Sequence, residues 1–117
     1  PHLQRASLPL LINAMLAVNI ADPGRVPETL VGANMAFARH VLSSVPSFEE
    51  SLGAGTANGL GEDTLFSLLL RRHGYRLAWA DGGGVEHHCD VSRVTREYAV
   101  EWMRKSGRSN AVMTRKG

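Results

Sequence analysis

The chain of 117 residues has a single cysteine and no long hydrophobic run. Cys89 alone cannot form an intrachain disulfide, which fits a reducing compartment. The apolar stretch over residues 8–18 contains Asn13. It is shorter than the roughly 20 residues that a bilayer span requires, and it lacks the cleavage pattern of a signal peptide. The sequence therefore predicts no transmembrane segment, and residues 8–18 are expected to form a buried or interface helix.

Internal repeats, low-complexity segments and the phosphate-binding pattern Gly-x-x-x-x-Gly-Lys-Ser/Thr are also absent. The last absence argues against a P-loop nucleotide site. The composition, 44% hydrophobic and 21% charged, is that of an ordinary soluble globular protein. The length predicts one compact domain over residues 1–117. Because the chain begins at Pro1 rather than methionine, we expect a processed product or an excised piece.

The net charge is only +2, but the basic residues are concentrated near the C-terminus. Such a segment can meet phosphate, anionic lipid or nucleic acid, or it can form a solvated helix face. No nucleic-acid motif or aromatic interleaving accompanies it, so nucleic acid is not expected as a partner. Over residues 93–117, Glu97 and Glu101 stand against seven basic residues: Arg93, Arg96, Arg104, Lys105, Arg108, Arg115 and Lys116.

Apolar periodicity and glycine positions predict an α/β chain with a small mixed sheet of two to four strands and three to four helices. Gly74 and Gly107 mark the ends of two of the helices. Four glycines within residues 51–61 predict a loop. That loop is either a flexible connection or a cover that closes over a substrate. Helices are predicted at residues 8–18, 39–44, 64–73 and 92–106, and strands at residues 29–37, 75–80 and 85–88.

Glu62 and Asp63 are adjacent carboxylates where a predicted helix begins. The helix dipole stabilises anions in a first turn, typically by about 0.3 to 1 kcal/mol. An ionised carboxylate is what a general base requires. Many helices, however, carry acidic first turns that only cap and solvate the helix end. The pair therefore indicates either an acid/base site or a helix cap.

Gly32, Ala33 and Asn34 interrupt the predicted strand over residues 29–37. Small residues in a strand let a ligand or another backbone approach closely, and the amide of Asn34 offers both a donor and an acceptor. A bulge or a tight sheet crossing explains the same residues. The segment is thus a candidate for ligand binding, with a purely structural alternative.

His87, His88, Cys89 and Asp90 are four successive residues that can each ligate metal. Adjacent residues of an extended segment point to opposite sides, so at most two of the four can face one ion. A structural zinc site normally uses four ligands from spaced pairs, and no second pair exists. One imidazole can still contribute to a Mn²⁺ or Mg²⁺ site whose carboxylates come from elsewhere, or either histidine can simply hydrogen-bond a neighbour.

The motifs follow one another in an order that resembles a known family. They are Gly32-Ala33-Asn34-Met35-Ala36-Phe37-Ala38-Arg39, Phe48-Glu49-Glu50, Gly61-Glu62-Asp63, His73-Gly74-Tyr75-Arg76, Val85-Glu86-His87-His88 and Gly107-Arg108-Ser109. The series resembles family 2 glycosyltransferases, and in particular the C-terminal, acceptor-side half of their GT-A catalytic domain. The resemblance divides the chain into a leading helix and linker (residues 1–27), an acceptor-side core (residues 28–109) and a basic tail (residues 110–117).

The resemblance implies that Asp63 is the general base of a sugar transfer. Asp63 would deprotonate an acceptor hydroxyl, which attacks the anomeric carbon opposite the nucleoside diphosphate, so that the configuration inverts. Glu62 would help to position the acceptor or the base, and residues 32–34 would line the sugar and acceptor pocket. His87 matches a position that binds metal or diphosphate in some relatives. Three arginines would neutralise the charge of the departing diphosphate: Arg93, Arg96 and Arg108.

The chain departs from the family in having no Asp-x-Asp, the motif that holds metal and diphosphate in the family's other half. The resemblance therefore implies that the nucleotide-sugar donor and a divalent cation, Mn²⁺ or Mg²⁺, belong to the full-length enzyme. We expect this chain alone to be inactive and to hold no metal tightly. An uncovered sheet edge and helix face favour a homodimer or a swapped dimer. The expected location is the cytoplasm, with the inner membrane face as a peripheral site.

A second function from a different class stays open. In this alternative the chain is a non-catalytic interaction domain, whose basic C-terminal helix and tail bind a partner or an anionic membrane surface. A small metal-binding protein is disfavoured, because the chain offers too few ligands.

Overall fold

The computed structural model of the chain describes residues 24–116. These residues form two α-helices, α1 (Glu62–Arg72) and α2 (Arg96–Lys116), and two short 3₁₀ turns, Arg39–Ser43 and Val91–Arg93. The helix predicted over residues 8–18 lies outside the described residues. No helix within residues 24–116 combines the length and the apolar character that a membrane span requires.

The predicted α/β class is wrong for the described part of the chain. Residues 24–116 contain no strand, so neither the mixed sheet nor the GT-A-like architecture is present there. The predicted strands at residues 29–37, 75–80 and 85–88 are all irregular segments. Of the three helices predicted within residues 24–116, two are α-helices, and the short one predicted at residues 39–44 is a 3₁₀ turn.

The first of these segments shows why no strand forms. The backbone N–H of Leu30 donates to Ser67 Oγ at 2.8 Å, and that of Gly32 donates to Asp63 Oδ2 at 2.9 Å. Asn34 then closes a turn, since its N–H donates to the carbonyl of Val31 at 2.9 Å. A half-buried donor such as the N–H of Leu30 needs a partner, and a sheet would supply carbonyls to the whole segment. Here the acceptors are instead two side chains of α1 and the carbonyl of a local turn.

Helix α1 begins and ends at glycines. Gly61, at the N-cap, has a left-handed φ of 95°, and Gly74, just beyond the C-cap, has a φ of 84°. The N–H of Tyr75 donates to the carbonyl of Leu70 at 3.0 Å, and that of Gly74 donates to the carbonyl of Arg71 at 3.0 Å. This pair of bonds is a Schellman motif, which requires a left-handed residue after the helix. The predicted helix and its stop at Gly74 are confirmed.

Helix α2 is longer than predicted. The expected end at residue 106 is wrong, because the helix continues through Gly107 to Lys116, and residues 110–116 are helical. A helical glycine costs only about 1 kcal/mol relative to alanine. Just beyond it, Ser109 is buried and its Oγ lies 3.0 Å from the carbonyl of Asn58. This tertiary contact lies past the glycine and favours continuation of the helix.

The apolar core gathers around α1. The rings of Phe37 and Phe48 lie 5.1 and 4.6 Å from the ring of Phe66, centroid to centroid. Burying a side chain of this size typically contributes about 1.5–3 kcal/mol. The core holds α1 firmly and so fixes its first turn, which carries Asp63. The buried residues of this cluster are Val41, Val45, Phe66, Leu70 and Leu77.

Candidate functional site

Asp63 lies in the first turn of α1, and its side chain is half-buried. Its Oδ2 accepts the N–H of Gly32 at 2.9 Å. Its Oδ1 accepts the N–H of Thr64 at 2.7 Å and, more weakly, the Thr64 hydroxyl at 3.4 Å. An ionised carboxylate has about four lone-pair sites, so at least one remains for another donor. Asp63 is therefore oriented by backbone groups and still able to accept a proton.

The turn that carries Gly32, Ala33 and Asn34 is held at both sides. Gly32 is bonded to Asp63, while the side-chain amide of Asn34 donates to the carbonyl of Gly83. A Cβ built on Gly32 would contact Asp63 Oδ2 at 3.4 Å, so the carboxylate faces the turn directly. All three turn residues are exposed. The turn thus places the Gly32 N–H at the carboxylate, while the Asn34 amide is bonded to Gly83.

Glu62 is half-buried and contacts a different segment. A Cβ built on Gly53 would lie 3.0 Å from both Cδ and Oε2 of Glu62, so this carboxylate packs against the glycine-rich loop over residues 51–61. Asp63 packs against the turn over residues 31–34. The two adjacent carboxylates therefore contact separate loops, one on each side of the start of α1.

The glycine-rich loop is folded on itself. The side-chain amide of Asn58 donates to the carbonyl of Ser51 at 2.7 Å, and the hydroxyl of Thr56 donates to the carbonyl of Gly53 at 2.8 Å. The Thr56 hydroxyl also accepts the N–H of Gly59 at 2.9 Å. The loop is then seated on α2 through the contact of Asn58 with Ser109 described above. These ties give the loop a defined shape beside Glu62.

Two buried serines of the site escaped the sequence reasoning. Ser67 is fully buried and bonded to Leu30, and Ser109 is 1% exposed and bonded to Asn58. The available signal for Ser67 was a single hydroxyl within a run of apolar residues, Leu65 to Leu70. A buried hydroxyl needs a hydrogen-bond partner, and such a residue therefore points to a contact beyond its own helix.

His87 is exposed in the irregular segment after Gly84. No hydrogen bond or ion pair of the described residues joins its imidazole to Asp63. Within residues 24–116, no three His, Cys, Asp or Glu side chains lie close enough to hold a metal ion. Asp90 instead caps a 3₁₀ turn, where hydrogen bonds from Ser92 lower the pKa of its carboxyl. The described residues thus do not build the expected Mn²⁺ or Mg²⁺ site by themselves.

The three arginines singled out for the diphosphate have other surroundings. Arg93 is half-buried, with its guanidinium carbon 6.0 Å from the centre of the Tyr98 ring. Arg96 is exposed at the first residue of α2. Arg108 lies on the same helix, with Nη2 3.4 Å from Glu101 Oε1. Their role toward a diphosphate stays a prediction.

Two open grooves flank α1. The larger, about 820 Å³, runs along the C-terminal end of the helix and is lined in part by Arg71, Tyr75 and Leu77. The smaller, about 500 Å³, lies between α1 and the last turns of α2 and is lined in part by Thr64 and Met113. Asp63 lines neither of these two grooves, and the smaller one reaches the carboxylate only through Thr64, whose N–H and hydroxyl are bonded to Asp63.

Comparison with known proteins gives no relative, since no family model, no curated protein and no solved structure matches the chain.

Proposed function

We propose that this chain contributes the acceptor-side part of an inverting glycosyltransferase, in which Asp63 acts as the general base. The supporting observation is the 2.9 Å bond from the N–H of Gly32 to Asp63 Oδ2. It joins two segments, 31 residues apart in sequence, to which the resemblance assigns the pocket and the base. Their direct contact is a requirement of the proposal that sequence spacing alone did not guarantee.

The proposed chemistry needs only a carboxylate with a free lone pair. An acceptor hydroxyl donates to Asp63, and its proton moves to the carboxylate as the oxygen attacks the anomeric carbon. The bond from that carbon to the diphosphate oxygen breaks, and the nucleoside diphosphate leaves with the electron pair. The N–H groups of Gly32 and Thr64 keep the carboxylate oriented. In this proposal the acceptor approaches Asp63 from the side of the groove that Thr64 lines.

In this proposal the nucleotide-sugar donor and its divalent cation are bound by residues outside this chain. The described residues offer the base and one wall of the acceptor pocket, and no step above depends on a metal held by them. This division also accounts for the expectation that the isolated chain is inactive.

The alternative, an interaction domain that uses its basic helix, receives less support. Nη1 of Arg104 lies 3.9 Å from Oε2 of Glu101, and Arg108 contacts the other oxygen of the same carboxylate. Lys116 Nζ lies 2.5 Å from Glu49 Oε2. Three of the basic residues are therefore already neighbours of acidic side chains, which weakens the field that they offer to an anionic partner.

Asp63→Asn in the full-length gene product tests the proposal. Asparagine keeps one oxygen, which can accept the N–H of Gly32 or of Thr64 but not both, and it cannot take a proton from a hydroxyl. We expect transfer to fall by about 10²- to 10⁴-fold, the usual contribution of a general base. The measurement is release of nucleoside diphosphate from a panel of nucleotide sugars in the presence of hydroxyl acceptors.

Asp81→Asn is the matched control, because Asp81 is an exposed carboxylate in a turn and takes no part in the bonds that orient Asp63. It should transfer sugar at the wild-type rate. Unchanged transfer by Asp63→Asn would reject Asp63 as the base. A wild-type protein that releases no nucleoside diphosphate from any donor would reject the transferase and favour the interaction domain.

A further inference from the structure

Ser67 is buried and hydrogen-bonded beyond its own helix, unlike a serine that only solvates a helix surface. It lies one turn after Asp63 on α1 and is fully buried. Its Oγ donates to the backbone carbonyl of Asp63 at 2.7 Å and accepts the N–H of Leu30 at 2.8 Å. Serine hydroxyls in helices often bond only to the carbonyl four residues earlier. Ser67 adds a second bond, to a residue 37 positions away in the sequence.

The two contacts between α1 and this segment have matching spacings. Asp63 and Ser67 are four residues apart on the helix, which corresponds to about 6 Å of rise. Leu30 and Gly32 are two residues apart, and two residues of backbone reach at most about 7 Å, which is enough to span that rise. Alternate N–H groups of the segment therefore meet side chains on successive turns of α1. Two such bonds set the register of the segment, whereas a single bond would let it pivot.

We propose that Ser67 is a positioning residue for Asp63. Its hydroxyl holds Leu30 against α1, so that the N–H of Gly32 arrives at Asp63 Oδ2 and fixes the carboxylate beside the turn over residues 31–34. The catalytic consequence rests on the proposed function, since it concerns the same carboxylate. The positioning itself is measurable on the 117-residue chain without any substrate.

The test compares hydrogen-exchange rates of the Leu30 and Gly32 amides by NMR in the wild type, Ser67→Ala and Ser67→Cys. Alanine removes both bonds of the hydroxyl. Cysteine nearly keeps the volume but is a weak donor and a weak acceptor, so it serves if the alanine variant does not fold. We expect exchange at both amides to become about tenfold faster in either variant.

Ser109→Ala is the matched control. Ser109 is also buried on a helix, and its Oγ also lies near the carbonyl four residues earlier, at 2.9 Å from Lys105. Its second partner is Asn58, at 3.0 Å, rather than the segment over residues 30–32. This control removes another buried helical hydroxyl that has no bond to residues 30–32, and both amide rates should stay at their wild-type values.

The Gly32 amide decides the outcome. Faster exchange at Leu30 with an unchanged Gly32 would overturn the proposal, because Ser67 would then be a structural tie without effect on the Asp63 contact. Faster exchange at both, together with a lower kcat and an unchanged KM in full-length Ser67→Ala, supports the proposal and the transferase. If both amides respond but the wild-type enzyme transfers no sugar, the positioning stands and the proposed function fails.

Discussion

The two α-helices each bury one serine, and the two hydroxyls are bonded differently. Ser67 on α1 uses its hydroxyl once as donor, to Asp63, and once as acceptor, from Leu30. Ser109 on α2 lies within hydrogen-bond distance of two carbonyls, which must share a single hydroxyl hydrogen. The α1 tie therefore satisfies a backbone N–H that would otherwise lack a partner. The Ser109 hydroxyl on α2 has one hydrogen for the carbonyls of Asn58 and Lys105, so it satisfies these acceptors only in part.

The two helices also differ in how many apolar side chains they bury. Helix α1 buries Leu65, Phe66 and Leu70 with Ser67, whereas α2 buries only Ala99 and Ser109 among its described side chains. Helix α2 is held instead by close approach to glycines and by the ion pair of Lys116 with Glu49. Segments with few buried apolar contacts open at lower free energy. We infer that α2 and the glycine-rich loop separate before α1, the helix that carries Asp63, loses its core.

The largest expected effect tests this difference in apolar burial. Phe66→Ala removes a ring that is 1% exposed and should lower the free energy of unfolding by about 3–5 kcal/mol. Met113→Ala removes a half-buried side chain from α2 and should cost less than about 2 kcal/mol. Urea denaturation followed by circular dichroism gives both values. Equal losses would contradict the assignment of the core to α1.

Local signals in the sequence predicted α1 but not the segment that packs on it. The apolar residues from Leu65 to Leu70 and the stop at Gly74 are contained within the helix and its first neighbour. The segment over residues 29–37 has the apolar content of a strand, but its conformation depends on where two N–H groups find acceptors. Those acceptors, Ser67 and Asp63, lie 37 and 31 residues away. Periodicity within a short window cannot supply that information.

The same limit applies to the end of α2 and to the site. Gly107 is a reasonable stop signal, but the contact between Ser109 and Asn58, 51 residues apart, lies beyond it. Gly32 and Asp63 were each singled out by residue type and spacing, yet their bond was not predictable from either. Ser67 was missed because its role depends on the partner and not on the motif.

A smaller loss of stability is expected from alanine substitutions in the glycine-rich loop, which test how closely the loop backbone approaches Glu62. Gly53 and Gly55 have left-handed φ values of 95° and 86°, so alanine at either costs about 1–2 kcal/mol. A Cβ at Gly53 would lie 3.0 Å from Glu62, whereas a Cβ at Gly55 would meet nothing within 4 Å. Gly53→Ala should therefore cost about 1 kcal/mol more than Gly55→Ala, as measured by urea denaturation.

Glu62→Ala in the Gly53→Ala background checks the cause of that difference. Truncation of the glutamate removes the atoms that the new Cβ would crowd, so the additional loss of stability should disappear. If the two glycine variants are equally stable, or if Glu62→Ala gives no relief, the loop is not packed against the start of α1 as described.

The smallest expected effect concerns the pair that joins the end of α2 to the segment before the glycine-rich loop. Lys116 donates to Glu49 Oε2, and Ser51 donates to Oε1 through both its hydroxyl and its N–H. These bonds, that of Lys116 foremost, lower the pKa of Glu49 from its ordinary 4.5 to about 2. Since the pKa is lower in the folded state, the stabilisation is complete above about pH 4.5 and is lost as the pH falls towards 2.

Melting temperatures of the wild type and Glu49→Gln should therefore differ slightly at pH 6 and converge near pH 2. The difference is small because both side chains are partly exposed and solvent screens their charges, and added salt should reduce it further. Glu50→Gln, at the exposed neighbouring residue, should match the wild type throughout. A Glu49→Gln difference that persists at pH 2 would show that the residue acts through packing. In that case the ion pair would not be what holds the end of α2 to the loop.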